Sequence, residues 1–156
     1  MRTSDANEFY LILSISRLKI ALSLSVVSRA IRVVEISPLP GAPPIALGIL
    51  NLGGIVIPIL NFRKRFGLKN KSISASDKLV IVNTPNLQFG FIVDEIIGLK
   101  PLSEKNIKES ENIIPGIDRI LDGVAVLENE LILIHDVEKF LSLHEENQIK
   151  KAIQKK

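Results

Sequence analysis

The stretch "PPIALGILNLGGIVIPILNFRKRFGL", Pro43 to Leu68, is uncharged up to Arg63 and then turns abruptly cationic. By length it competes for a membrane span, which needs about 20 mostly apolar residues and favours a cationic inside flank. Its interior argues otherwise. Asn51, the Gly53 and Gly54 pair and Pro58 would interrupt a helix several times within a few turns. The same residues suit a β-hairpin: GILNL as one strand, Gly-Gly as a turn that accepts positive φ, and IVIPIL as the return. Pro58 then belongs where its missing N–H faces an edge or a bulge.

A second copy supports the hairpin. "GILNLGGIVIPILNFRKRF", starting at Gly48, matches "GVAVLENELILIHDVEKFL", starting at Gly123. Glycine enters, a strand runs to a tight turn, a second strand returns, and Asn61 or Asp136 caps a short helix. In the second copy the turn is LENE, which puts Glu128 and Glu130 where a span would have its centre. Charges there are expensive in lipid and free at a solvated turn. Both copies therefore read as hairpins, and no direct membrane insertion is expected.

A further internal match pairs Tyr10 to Val27, "YLILSISRLKIALSLSVV", with Leu79 to Ile96, "LVIVNTPNLQFGFIVDEI". Each is an apolar strand, a polar turn and a strand of period-two alternation. Ser25 or Asp94 is then expected to cap a short apolar turn, VVSRAI or EIIGL. Each half of the chain thus supplies a hairpin, an extended segment (IRVVEI or the LKPL region), a second hairpin and a helical turn. Five short strands close a small barrel and hide its edges. The expected fold is mainly β: two five-stranded, SH3-like barrel halves packed as one domain over residues 1–156, with short helices. The halves are expected at 9–68 and 78–143, joined by the polar link 69–77 and followed by a basic tail, 144–156.

Composition fits a globular chain, with 46% hydrophobic and 24% charged residues in 156. With no cysteine, disulfides, thiolate catalysis and sulfur-ligated metals drop out together. MRTSDANEF lacks the apolar core of a signal peptide, so the expected location is cytoplasmic. Net charge is +3, and Lys150, Lys151, Lys155 and Lys156 account for the excess. A charge block of this kind is expected to be a solvated extension.

Catalytic signals are missing. His135 and Asp136 are neighbours on a strand and point to opposite faces, so they read as strand end and helix cap. His144 has no ligand at metal spacing. No G-x-S-x-G, G-x-x-x-x-G-K-[ST], H-E-x-x-H or G-x-G-x-x-G occurs. We expect no enzyme, cofactor, metal or small-molecule substrate. Arg63, Lys64 and Arg65 follow the Asn61 cap, with Phe62 and Phe66 inward, Gly67 as C-cap and the three cations outward. With the lysine tail they make an alternative reading, a small basic barrel that binds nucleic acid. That reading is weakened by the shortage of exposed aromatics on which bases stack.

"EISPLPGAPPIALGILNLGGIVIPILNFRKRFGL", then "SDKLVIVNT", "FIVDEIIGL" and "ILDGVAVLENELILIHDVEKFL", resembles the CheW family of chemotaxis coupling proteins from about Phe9 to Leu143. The resemblance implies two five-stranded barrels around a shared apolar interior. It also implies a scaffold in chemotaxis signal transduction, one surface of which binds the regulatory domain of a CheA-type histidine kinase while another holds the cytoplasmic tip of a chemoreceptor. By position, the family's partner-binding residues fall on Val33, Glu35, Gly48, Asn51, Gly53 and Gly54. The family's usual motif there is Asn-Leu-Arg-Gly. This chain has Asn51, Leu52, Gly53 and Gly54, so the arginine that would partner Glu35 is absent.

Overall fold

The computed structural model describes residues 8–108 and 120–155. The start of the signal-peptide reading, MRTSDAN, and the last lysine of the tail, Lys156, lie outside the described residues. Among the described residues eleven strands run in chain order as β1 (Glu8–Ile15), β2 (Leu18–Ser23), β3 (Val27–Arg32), β4 (Ala46–Leu52), β5 (Ile55–Leu60), β6 (Lys78–Asn83), β7 (Gln88–Val93), β8 (Glu95–Leu102), β9 (Ile107–Lys108), β10 (Leu121–Leu127) and β11 (Glu130–His135). Two α-helices are described: α1 (Phe62–Arg65) and α2 (Leu143–Gln154).

Pro43 to Leu68 does form a hairpin and a short helix. Gly53 and Gly54 make the turn with φ of 61° and 89°, and Leu52 faces Ile55 across it. Ile49, opposite Pro58, exchanges both backbone hydrogen bonds with Ser37 on the side away from β5. The β4–β5 ladder therefore has no donor to lose at Pro58, and the proline is tolerated inside the sheet. The second copy repeats this: Leu127 faces Glu130, with Glu128 and Asn129 at φ of 50° and 65°. Even the entering glycines correspond. A Cβ on Gly48 would lie 2.3 Å from the Ser37 carbonyl oxygen, and one on Gly123 would lie 2.8 Å from that of Lys108. Each strand shifts register at its glycine, letting a crossing segment approach.

The strands form two sheets, ordered β8-β1-β2-β11-β10-β9 and β3-β6-β7-β5-β4. In the first, the chain leaving β8 turns through Glu104–Asn106 and returns as β9 on β10, closing the sheet on itself. In the second, the chain leaving β3 reaches β4 through the Ser37–Ile49 bridge. Both are small SH3-like barrels, and the fold is mainly β.

Barrel membership corrects the expected ranges. The first barrel takes β1 and β2 from the chain's first half and β8 to β11 from its second; the other takes β3, β4 and β5 with β6 and β7. The opening hairpins are exchanged relative to 9–68 and 78–143. β3 pairs with β6 and β8 with β1, each extended segment adopting the hairpin of the other half. The two hairpins carry the same alternation, so their local pattern does not tell an extended segment which to join. The 69–77 link consequently connects two strands of one barrel rather than two barrels. It is also folded down: Asp77 is 4% exposed, accepts from the Ser74 amide at 2.8 Å, and passes its carbonyl to the Val33 amide.

Alternation along the central strands explains why they are apolar on both faces. On β1, Leu11, Leu13 and Ile15 enter a large core shared by both sheets, while Tyr10 and Ile12 fill their own barrel. On β6, Val80 and Val82 face the shared core, while Leu79 and Ile81 fill the other barrel. Phe62, Phe66, Phe89, Phe91 and Phe140 meet in the shared core, Phe62 and Phe66 stacked at 4.2 Å between ring centroids.

The basic tail is not a solvated extension. Residues 143–154 form α2, which starts in a capping box between Ser142 and Glu145. Ile149 and Ala152 are buried, the first in the shared core and the second against Leu39 and Ile49. The i, i+3 spacing of Ile149 and Ala152 puts one stripe inward and leaves Lys151 and Lys155 outward. Two expected caps also move. Ser23, not Ser25, caps the turn at Leu24–Val26, and Asp94 caps no helix, because VVSRAI and EIIGL continue into strands β3 and β8.

Candidate partner-binding edge

The residues carried over by position gather at one edge of the β3-β6-β7-β5-β4 barrel. Ser37 and Ile49 are locked by two backbone bonds of 2.9 and 2.7 Å, so the segment carrying Val33 and Glu35 enters that edge antiparallel to β4. Ile36 packs inward against the cluster of Leu50, Leu52 and Ile57, which leaves Glu35 exposed on the outer face. Asn51 is exposed as well, and its Oδ1 accepts from the Gly54 amide at 2.9 Å, fastening the hairpin turn. Gly53 and Gly54 stand free of neighbours: a Cβ on either meets nothing within 4 Å. Val33 is half-buried, held by its bond to Asp77. Gly48 differs from the rest. It is buried beneath Ser37, so it shapes the edge and presents no surface of its own.

The cationic run is not the outward patch expected. Arg63 donates to Asp94 at 2.6 Å and to Ser16 Oγ at 2.8 Å. Arg65 donates to Glu145 at 2.6 Å and lies over the Phe140 ring. Both guanidinium groups are half-buried and paired, and Lys64 alone of the three is exposed. The reason is the company α1 keeps: its Phe62–Phe66 face is pulled into the shared core, and the flanking arginines come with it.

Asp94, misread as a cap, joins the barrels. It lies between β7 and β8, where its Oδ2 accepts from the Ser16 amide in the β1–β2 turn and its own amide donates to the Ser14 carbonyl. Partial burial works to raise its pKa, but the Ser16 amide, Arg63 and Lys71 together outweigh that and hold the carboxyl below its ordinary value. Glu145 is set the same way, burial being outweighed by the Ser142 amide and Arg65.

His135 and Asp136 diverge as expected of strand neighbours. Asp136 caps the turn at Val137–Lys139. His135 is 4% exposed, its Nδ1 lies 2.8 Å from the Ile120 carbonyl, and its ring meets Phe62, Phe66 and Phe140 edge-on. Burial, opposed by the Ile120 bond, pushes its pKa down to about 4. A neutral imidazole walled by phenylalanines is a core side chain. Among the described residues no group of three His, Cys, Asp or Glu is placed to hold a metal ion.

The family model for the CheW-like domain matches residues 10–145, through both barrels and into α2. The chain belongs to the CheW-like family. Similar CheW proteins include the chemotaxis protein CheW of Treponema pallidum, 29% identical over 76% of this chain and 73% of that one. That of Thermotoga maritima is 25% identical over 88% and 91%. The crystal structure of the scaffolding protein TtCheW from Thermoanaerobacter tengcongensis shares the fold, with a TM-score of 0.80, 23% identity and coverage of 89% and 90%. In this CheW-family chain the outward residues among those at the edge are Glu35, on the crossing segment, and Asn51, Gly53 and Gly54, on the hairpin. Sequence reasoning missed α2, which lies against the same edge. Its signal was present in Ser142-x-x-Glu145 ahead of Ile149, Ala152 and Ile153.

Proposed function

We propose that this chain is a non-enzymatic cytoplasmic adaptor that couples chemoreceptors to a CheA-type histidine kinase, with Val33, Glu35, Asn51, Gly53 and Gly54 on its partner-binding edge. The observation that carries the reading is the CheW-like match over residues 10–145, which takes in both barrels from the third residue of β1 onward. The relatives named above are chemotaxis proteins and the structural neighbour is a scaffolding protein, and both descriptions fit a molecule in which His135, Arg63 and Arg65 are spent on packing. No helix among the described residues is long and apolar enough to cross a membrane.

The mechanism is bridging. An adaptor that holds two partners at once raises their effective concentration and lets the conformational state of one bias the other. A β-hairpin is a suitable platform, since its main chain is already ordered and binding costs little further entropy.

The test is a calorimetric titration of the full chain against two fragments, the regulatory domain of a CheA-type kinase and a helical receptor tip. We expect saturable binding of both, weakened at least tenfold for one of them by Asn51→Lys. Failure to bind either fragment overturns the reading. A steep negative dependence of RNA affinity on salt would instead point to a nucleic-acid protein.

A further inference from the structure

The face of the β4–β5 hairpin that carries Asn51 is shared with α2. Asn51 pairs with Val56 and Ile49 with Pro58 across the hairpin, and strand alternation sets all four on one face, opposite the Leu50, Leu52 and Ile57 interior. On that face Ile49 is 3% exposed and packs with Leu39 and Ala152, with Val56, Ala42 and Ile153 around them. Asn51, two residues further on, is exposed. The helix therefore covers the base of the hairpin and leaves its tip free.

Both ends of this packing are anchored. At its start α2 is held by the Ser142–Glu145 capping box and by Arg65, whose guanidinium bridges Glu145 and the Phe140 ring. Towards its other end, Ala152 sits 3.9 Å from where a Gly41 side chain would begin, so small residues on both sides bring helix and loop together. Between them runs the crossing segment, Ser37 to Leu39, which carries Glu35 into the edge and is bonded to Ile49. Among the described residues, Leu39 and Ile49 are covered from outside the barrel by Ala152 and Ile153 of the helix, with Ala42 of the loop beside them.

We propose that α2 is a positioning element for the partner-binding edge: Ala152 and Ile153, packed on Leu39, Ile49 and Val56, hold the Ser37–Ile49 closure and so set the geometry of Glu35 and Asn51. The link to binding rests on the adaptor reading above; the link to the closure does not. Packed side chains of this kind transmit displacement because close-packed interiors do not absorb it. Local opening at a strand closure is set by how well its neighbours cover it.

Full-length Ala152→Glu places a charge in that contact, Ile153→Ser loosens it mildly, and Ala152→Ser preserves it. Amide hydrogen exchange is read at Ser37 and Ile49, with Ile12 and Ala21, paired in the other barrel, as reporters of global folding. We expect exchange at Ser37 and Ile49 to rise at least tenfold in Ala152→Glu while Ile12 and Ala21 keep their protection. Affinity for the kinase or receptor fragment should fall at least tenfold, and Ala152→Ser should match wild type in both readouts. Should Ala152→Glu expose Ile12 and Ala21 too, Ile153→Ser decides by the same criteria with about threefold effects. Wild-type protection of Ser37 and Ile49 in a folded variant overturns the proposal, as does loss of their protection with unchanged affinity for both fragments. If wild type binds neither fragment, the adaptor reading falls, and the exchange measurement alone decides whether α2 holds the closure.

Discussion

Asp94 accepts the Ser16 amide at 2.7 Å, so the residue that follows β7 of one barrel fastens the first hairpin turn of the other. Arg63 completes the junction by donating to both residues. The arrangement matters because Ser16 has a φ of 54°, a conformation that needs support from its surroundings in a residue with a side chain.

Asp94→Asn keeps the shape and removes the charge, leaving Arg63 half-buried without a counter-ion. We expect a loss of about 1 to 3 kcal/mol in denaturant unfolding. A double-mutant cycle with Arg63→Met should recover part of that loss, because the unpaired cation is then gone. Strict additivity in the cycle would show that the two side chains do not interact.

His135 sets a pH dependence. Its pKa falls from the ordinary value to about 4 on folding, so the unfolded chain binds more protons between those values. Stability is therefore fully present above about pH 6.5 and declines as pH falls toward 4, by an amount on the order of 3 kcal/mol. Asp94 and Glu145, both held below their ordinary values, lose their contributions in the same direction at lower pH. His135→Phe removes the histidine term, and the Ile120 carbonyl still accepts the Asp136 amide at 3.0 Å. Thermal midpoints of this variant should vary less between pH 6.5 and 4.5 than those of wild type; equal slopes would exclude His135 as the titrating group.

Gly48 and Gly123 predict a matched pair of defects. A methyl group on Gly48 would meet the Ser37 oxygen at 2.3 Å, and one on Gly123 would meet Ile107 at 2.7 Å and the Lys108 oxygen at 2.8 Å. Backbone must move in both cases. We expect each Gly→Ala variant to lose about 2 kcal/mol or more, in line with overpacking at tight sites. Chemical denaturation measures it, and a loss below about 0.5 kcal/mol at either site would mean the crossing segment yields freely.

Gly53→Arg restores the arginine of the usual family motif. Gly53 has a φ of 61°, and at the equivalent turn Glu128 and Asn129 hold 50° and 65°, so side chains are accommodated in this conformation. The expected cost is about 1 kcal/mol, a fall of roughly 2 to 4 °C in thermal midpoint. Arginine at the centre of an interface contributes strongly through bidentate hydrogen bonds, so affinity for a conventional receptor tip or kinase domain should rise at least about tenfold. Titration of both variants against one fragment checks it, and equal affinities would make the glycine neutral.

Local signals were legible in the residues themselves. Asn51, Gly53, Gly54 and Pro58 forbade a helix and demanded a hairpin; Gly48 and Gly123 marked its repetition; Asn61 and Asp136 marked the turns that follow. Each depends on backbone chemistry within a few positions, which is why a one-dimensional reading reaches it. What only the tertiary structure decided is partner choice between elements. β3 and β8 each find two hairpins of the same pattern in reach and take the one from the opposite half of the chain, since the alternation that buries a strand does not say against which neighbour. Arg63, Arg65 and Asp94 looked like surface charge and a cap; once the Phe62–Phe66 pair was drawn into the core, Arg63 and Asp94 became a junction between the barrels and Arg65 an anchor for α2. The lysines at the end of the chain concealed a helix because charge dominates its composition, whereas the Ile149–Ala152 stripe acquires meaning only when Leu39 and Ile49 are there to receive it.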